Sequence, residues 1–206
     1  TRHAVGQFNS MGFVGDLSLF AQTLQGAQAL LNTIQEFEEW SGLRVNRKKT
    51  CLMVIEDSTK VSLPGEGLEY QGYPIRRVES AEAVRYLGLW GTAAGDMAET
   101  KKRILEKTRE ARDMIEHHPL HPEQAVELFV SVGVGAFRYS AALVAWTAEE
   151  LQSLETLWVQ AYKKAWFLPL STASDIFTLP KAAGGLEDPR PNGIMAQELG
   201  RHLQRR

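Results

Sequence analysis

The sequence predicts an α+β protein in which a small antiparallel sheet with one helix is followed by an all-helical bundle. Three observations lead to this prediction. Short apolar runs separated by Gly and Pro dominate the first part of the chain. Longer segments with apolar residues at helical spacing dominate the second part. Between them, the stretch from Gly91 to Gly95 interrupts both patterns. We therefore predict two domains, covering residues 1–95 and 96–206.

The first predicted element is a β-hairpin from Phe13 to Ala21. Apolar runs flank the pair Gly15-Asp16, and Gly at the first central position of a two-residue turn suits type II′ geometry. Asp16 would then stand at the tip of the hairpin. Its carboxylate is either a rigidly held metal ligand or an ordinary turn residue that bonds the local backbone. The residues of the hairpin leave both interpretations open.

The hairpin is followed by a predicted helix that Thr23 can cap and that ends near Trp40, before Gly42. Glu38 belongs to a group of three glutamates in the last turn, where negative charge opposes the helix dipole. The next segment is basic and contains Arg44, Arg47, Lys48 and Lys49. These side chains either bind phosphate groups or form a solvated loop.

Two further strands are predicted in the first domain. Residues 51–55 form an apolar run typical of a buried strand, and residues 84–90 return to strand character. Cys51 is the single cysteine of the sequence. A single cysteine excludes an internal disulfide and a cysteine-based zinc cluster, and it fits a reducing, intracellular compartment.

Four helices are predicted in the second domain. The first ends near Glu116, and the second begins at His121-Pro122 and continues into residues 126–144, whose nearly continuous apolar content predicts the most buried element. Thr147 and Glu150 form a capping box that opens the third helix. We predict no metal site among the histidines near residue 118, since Pro119 interrupts their spacing and no cysteine is nearby.

The third helix of this domain carries two tryptophans that need an explanation. Trp158 falls on the apolar stripe, and Trp166 follows near the end of the helix. Their helical spacing indicates core or interface, whereas stacking on nucleic-acid bases is the other interpretation. We predict that Trp158 and Trp166 bind a protein partner.

Composition limits the classes of function. Hydrophobic residues make up 44% and charged residues 23%, and the formal net charge is -2. Neither domain is basic, which argues against strong autonomous nucleic-acid binding. We expect no membrane span, because no stretch approaches about 20 apolar residues. The N-terminus shows no secretory signal pattern.

The order of these elements resembles that of a known family. A hairpin, a helix, the pattern Gly-Leu-x-x-Asn-x-x-Lys-Thr at residues 42–50, a strand and Tyr86-Leu87-Gly88 resemble the second half of the palm in reverse transcriptases of non-LTR (LINE-type) retrotransposons. Phe13-Val14-Gly15-Asp16 stands where the family has Phe/Tyr-Ala-Asp-Asp, and Tyr86-Leu87-Gly88 matches the primer grip. The later helices resemble the thumb, and a Pro180 and Gly184-Gly185-Leu186 signature follows. The resemblance covers most of residues 11–188 and implies a partial palm followed by a thumb-like domain.

The resemblance also implies a loss of catalysis. The family holds two metal ions with carboxylates from an upstream strand and from both hairpin aspartates. Gly15 replaces the first of these, so Asp16 is vestigial, and only twelve residues precede Phe13, too few for the upstream aspartate. We therefore expect no cofactor, with Mg²⁺ only if polymerase chemistry survives.

Three functions are compatible with this resemblance. The first is a catalytically degenerate protein that serves as a structural or interaction subunit of a larger assembly. The second is a fragment of an RNA-directed DNA polymerase with weak residual nucleic-acid binding. The third is a piece of an active polymerase completed by a separate chain, against which Gly15 argues. Because the palm elements here are incomplete, we expect the hairpin to have an open edge or uncovered face that a protein partner covers.

Overall fold

A computed structural model of the chain describes residues 9–55 and 67–204, except for the side chains of residues 202 and 203. The chain divides into two compact units, Thr1–Asp96 and Met97–Arg206. Each unit has a hydrophobic cluster of its own. The fold is mixed, with short strands confined to the first unit and most helices in the second, which confirms the predicted α+β class at this level.

The described strands of the first unit form four separate two-stranded pairs rather than the one small antiparallel sheet that we predicted. The strands are β1 (Ser10–Phe13), β2 (Asp16–Leu19), β3 (Cys51–Leu52), β4 (Glu69–Tyr70), β5 (Tyr73–Pro74), β6 (Arg76–Arg77), β7 (Val84–Tyr86) and β8 (Leu89–Gly91). Three pairs are antiparallel hairpins, and β3 pairs with β6 in parallel. Most strands have only two or three residues, which is too short for a continuous sheet.

The first hairpin is confirmed, but its turn lies one residue earlier than predicted. Phe13 pairs with Asp16, so Val14 and Gly15 are the central residues of the turn. Val14 therefore occupies the first central position of the turn, where we predicted Gly15. It has a φ of 53°, a left-handed conformation that is costly for a β-branched residue. Gln71 and Leu87 occupy the same place in the turns of β4–β5 and β7–β8, with φ of 52° and 47°.

The hairpin β1–β2 has an uncovered apolar surface, as expected. No other described strand pairs with it. Five large apolar side chains of this segment are exposed, namely Met11, Phe13, Val14, Leu17 and Phe20. Within the described part of the chain, this is an open edge with an uncovered face of the kind that proteins normally blunt or cover.

The core of the first unit lies between helix α1 (Leu24–Ser41) and the hairpin β4–β5. The Thr23 hydroxyl caps α1 by accepting a hydrogen bond from the Gly26 N–H at 3.1 Å, and the helix ends at Gly42 as predicted. The predicted buried strand at residues 51–55 is wrong in extent. Only Cys51–Leu52 pairs, with a partner strand of two residues, and Ile55 is exposed.

The second unit is helical. Its helices are α2 (Ala98–His117), α3 (Pro122–Phe129), α4 (Gly135–Ser140), α5 (Ala148–Ala165) and α6 (Pro191–Gln204). A π-helical turn, Val130–Val134, joins α3 to α4, and in it the Gly135 N–H donates to the Val130 carbonyl five residues back. None of the described helices combines the length and apolar character needed to cross a membrane.

Residues 126–144, which we predicted to be the most buried element, and α5 are buried to a similar extent. The apolar stripe of α5 is almost wholly inaccessible to solvent, and so are Phe129 and Phe137 of the preceding region, whereas Tyr139 and Leu143 of that region are exposed. One side of that region faces solvent, so its apolar content does not translate into burial all round. The predicted capping box of α5 is confirmed by mutual hydrogen bonds between Thr147 and Glu150, at 2.8 and 3.2 Å.

The segment that follows α5 folds back on it through polar contacts. Arg190 donates to the Glu155 carboxylate at 2.7 Å and to the Ser174 carbonyl at 2.6 Å, so it ties the segment to α5. A side chain at Gly185 would collide with the backbone of Leu179, which explains why only glycine fits there. The Pro180 and Gly184-Gly185-Leu186 signature therefore has a packing role in this unit.

Candidate nucleic-acid interface

The basic segment Arg44–Lys49, which we call the basic loop, connects α1 to β3. Asn46 organises its second half, because the Asn46 carbonyl accepts hydrogen bonds from the N–H groups of Lys49 and Thr50 at 3.0 and 3.1 Å. All four of its cationic side chains, Arg44, Arg47, Lys48 and Lys49, are exposed. The backbone of the loop is thus compact while its charges face solvent.

The carboxylate of Glu38 anchors the basic loop to α1. Glu38 lies in the last turn of α1 and is only 3% exposed. It accepts a hydrogen bond from the backbone N–H of Val45, inside the loop, and another from Gln71 Nε2 at 2.8 Å. A single buried carboxylate therefore joins three parts of the first unit: the helix, the basic loop and the turn of β4–β5.

The environment of Glu38 changes its pKa and that of Tyr70. Burial alone would raise the pKa of Glu38, but the nearby Tyr70 hydroxyl, the hydrogen bonds from Val45 and Gln71, and the charge of Arg44 together outweigh burial and lower it. Burial and the neighbouring Glu38 carboxylate raise the pKa of Tyr70 to about 12. Glu38 is thus a stabilised anion at the base of a cationic loop.

The side chain of Gln71 links Glu38 to Arg47. Its side-chain Oε1 accepts a hydrogen bond from Arg47 Nη2, while its Nε2 is bonded to Glu38. The Arg47 guanidinium lies over the ring of Tyr73, with Cζ 4.4 Å from the ring centroid. Tyr73 itself is 58% exposed. A flat cation and an aromatic ring therefore lie one over the other beside the exposed lysines.

The parallel pair β3–β6 brings more positive charge next to the basic loop. Arg76 and Arg77 pair with Cys51 and Leu52, which follow the loop after Thr50. Arg76 forms an ion pair with Glu82 at 2.6 Å. The loop and β6 together hold six of the nine Lys and Arg residues in positions 1–95. Although the first unit is nearly neutral as a whole, most of its cationic residues are therefore concentrated in the basic loop and β6.

Asp16 and the Tyr86-Leu87-Gly88 segment lie on two other hairpins. Asp16 is the exposed first residue of β2. Leu87 and Gly88 form the turn of β7–β8, and Tyr86 at its base is partly exposed. In the described ranges, no group of three or more His, Cys, Asp or Glu side chains is placed to hold a metal ion.

The two predicted partner-binding tryptophans lie in different environments. Trp158 is 1% exposed and packs edge-on against Phe129 and Phe137, so its side chain is a core residue and is unavailable to a partner. Trp158 is buried because it lies on the apolar stripe of α5 that faces the core, so it does not form part of a surface for a partner. Trp166, which follows α5, is half-buried.

Comparison with known proteins finds a sequence similarity to a retrotransposon protein. No family model matches the chain. Over 189 residues the chain is 26% identical to the retrovirus-related Pol polyprotein from type-2 retrotransposable element R2DM of Drosophila melanogaster, an alignment that covers 88% of the chain. This similarity supports a relationship to retrotransposon reverse transcriptases. The chain spans 17% of the length of that polyprotein.

Three residues of the candidate interface were missed by sequence reasoning, namely Glu38, Gln71 and Tyr73. The sequence does indicate a special role for Glu38, because a carboxylate in the last turn of a helix opposes the helix dipole and so needs another partner. It indicates no special role for Gln71 or Tyr73, since they are ordinary residues of a short hairpin. Their roles depend on how the turn of β4–β5 packs against α1 and the basic loop.

Proposed function

We propose that the basic loop is a phosphate-backbone-binding surface in a protein derived from a retrotransposon reverse transcriptase. The observation that carries this proposal is the anchoring of the loop by Glu38, which fixes the backbone while leaving four cations exposed. An ordered cationic loop loses less conformational entropy when it binds than a mobile one does. The relationship to a retrotransposon Pol polyprotein supports nucleic acid as the ligand.

Binding should depend on the charges of the loop. We expect neutralisation of all four to reduce the slope of log affinity against log salt by about 3, at about 0.7 per lost contact to a single strand. The variant carries Arg44→Gln, Arg47→Gln, Lys48→Gln and Lys49→Gln. Fluorescence anisotropy with a labelled single-stranded RNA of about 20 nucleotides, titrated between 50 and 200 mM salt, measures the slope.

A matched control removes the same charge from the second unit, at exposed positions of α2 and the segment after α5. It carries Lys102→Gln, Lys107→Gln, Arg109→Gln and Lys181→Gln. This control should retain most of the salt dependence. If both variants lost affinity equally, binding would reflect net charge alone, and the basic loop would not be the site.

We further propose that residues 1–95 are a partial palm, that residues 96–206 are thumb-like, and that the first hairpin does not support nucleotide transfer. Two-metal phosphoryl transfer needs several carboxylates converging on the ions. Gly15 stands where the resemblance calls for the first hairpin aspartate, so Asp16 is the one carboxylate that the turn supplies.

The 206-residue chain should accordingly give no primer extension on an RNA template with Mg²⁺ or Mn²⁺. A gel assay with labelled primer measures this directly. The proposal would be overturned by template-dependent extension that Asp16→Asn abolishes. Extension that persists in Asp16→Asn would instead indicate a contaminating polymerase.

A second candidate function is that of an interaction subunit, which the uncovered apolar surface of the first hairpin favours. Phe13 and Phe20 are exposed there, and Trp40 at the end of α1 is 82% exposed. Apolar surface of this kind is typical of sites that another protein covers. On this view a protein partner binds the hairpin, and the half-buried Trp166 of the second unit remains a further contact.

A further inference from the structure

We propose that Arg47 and Tyr73 form a stacking platform for an unpaired base, so that the interface selects single-stranded over duplex nucleic acid. This inference rests on the proposed function and assigns a base-binding role to Tyr73. The Arg47 guanidinium over the Tyr73 ring, with the exposed neighbours Lys48 and Lys49, is the feature of the structure that leads to it.

Tyr73 is presented as a contact residue rather than as part of the core. It pairs in β4–β5 with Tyr70, yet Tyr70 is buried in the core of the first unit whereas Tyr73 is more than half exposed. A large aromatic ring that remains open to solvent beside a cationic loop has the composition of a nucleic-acid stacking site. Its exposure gives it no comparable role in the packing of the unit.

Arg47 is held over the ring by more than its attraction to the aromatic face. Its guanidinium donates to Gln71, whose amide is bonded in turn to the buried carboxylate of Glu38. The guanidinium plane is therefore oriented before a ligand arrives. Preorientation lowers the entropy lost on binding, and both a guanidinium plane and a tyrosine ring stack on bases.

Single strands and duplexes present different groups to such a platform. In a single strand the faces of the bases are accessible, and stacking one base on an aromatic side chain stabilises the complex by about 1–3 kcal/mol. In a duplex those faces are covered by neighbouring base pairs, so only the phosphates reach Lys48 and Lys49. Tyr73 should therefore discriminate between the two forms, and the lysines should not.

The test compares unstructured single-stranded RNA of about 20 nucleotides with a blunt RNA duplex of about 20 base pairs, using the full chain. Tyr73→Ala is expected to weaken single-strand binding by about 5- to 150-fold, which corresponds to the stacking of one base. Duplex binding should change less than about twofold. Tyr73→Phe keeps the ring and should keep the preference for single strands.

Two further variants separate stacking from charge. Arg47→Lys keeps the positive charge but loses the flat fork, so it should lower the preference for single strands while leaving the salt slope unchanged. Lys48→Gln should lower both affinities and reduce the slope by about 0.7–0.9. Thermal unfolding of each variant identifies any that lose affinity through misfolding. If Tyr73→Ala is misfolded, Arg47→Lys replaces it as the deciding variant.

The outcomes distinguish the inference from the function on which it rests. The inference alone is overturned if neutralising the four loop cations abolishes binding but Tyr73→Ala does not act selectively. That outcome is an equal loss of affinity for single strands and duplexes, or no loss for either. The proposed function itself fails if those four substitutions leave both affinities unchanged. A selective loss of single-strand binding in Tyr73→Ala, with Tyr73→Phe unaffected, supports both.

Discussion

Replacing Trp158 with alanine is expected to lower the free energy of unfolding of the second unit by about 3–5 kcal/mol. The side chain fills the space between two aromatic rings, with centroids 6.1 Å from that of Phe129 and 5.6 Å from that of Phe137. Its removal leaves a cavity in the main core cluster, whose members on α2, α3 and α5 cannot close it without moving backbone. This is the largest single-residue effect that we expect.

Hydrogen exchange of the amides in α2 and α5 is the measurement suited to a chain of two units, since a single global transition need not report on one of them. Trp158→Phe, which retains an aromatic ring, is the control and should lose much less protection. If Trp158→Ala left exchange unchanged but weakened binding of a protein partner, Trp158 would be a surface residue after all. The predicted partner role would then be restored.

Replacing Glu38 with glutamine is expected to destabilise the first unit by about 1–3 kcal/mol and to weaken nucleic-acid binding. The substitution keeps the shape of the side chain and one acceptor oxygen, but the new amide nitrogen cannot accept, so either the Val45 N–H or Gln71 Nε2 loses its acceptor. A donor left without an acceptor in a buried site costs about 1–3 kcal/mol. The anchor of the basic loop would be weakened, so both urea titration and RNA affinity should respond.

Glu38 also predicts a dependence on pH. Because its pKa in the folded state lies below the ordinary value of 4.5, the carboxylate stabilises the fold above that value. This contribution is lost as pH falls from about 5 through the lowered pKa. The wild-type chain should therefore lose more stability on acidification than Glu38→Gln.

Glu39→Gln is the matched control for both effects. Glu39 is the exposed neighbour in the same turn of α1, so this variant removes the same charge without touching the anchor. It should retain the stability, the acid sensitivity and the RNA affinity of the wild type. If Glu38→Gln and Glu39→Gln behaved alike, the anchoring role of Glu38 would be refuted.

The helical unit is the part that the sequence predicted best. The stripe of α5 and the capping box formed by Thr147 and Glu150 depend on residues three or four positions apart, so the pattern and the contact lie in the same short stretch. The α1 helix between Thr23 and Gly42 was predictable for the same reason. The choice between core and interface for Trp158 was harder, because helical spacing shows which residues share a face but not what covers that face.

The first unit was predicted less well because its structure depends on contacts between distant positions. The parallel pairing of β3 with β6 joins residues 51–52 to 76–77, and strands of two residues carry no readable alternation. The Glu38 carboxylate that anchors the basic loop also accepts from Gln71, 33 positions away. The basic loop itself was readable as a cluster of charge, whereas the support of Arg47 by Tyr73 was not.

The π-helical turn at Val130–Val134 has a consequence for insertions and deletions. A turn with five-residue hydrogen bonds accommodates more residues than the 3.6 of an α-helical turn, so it takes up local changes in chain length. Deleting one residue within it would restore a regular α-helix in which seven positions, instead of eight, separate Phe129 from Phe137. At about 100° per residue, seven positions turn through about 700°, close to two full turns, so Phe137 would stay on the same buried face as Phe129. A related chain that lacks one residue here would therefore keep its apolar positions after the turn on the same face, provided that an alignment places the gap within Val130–Val134.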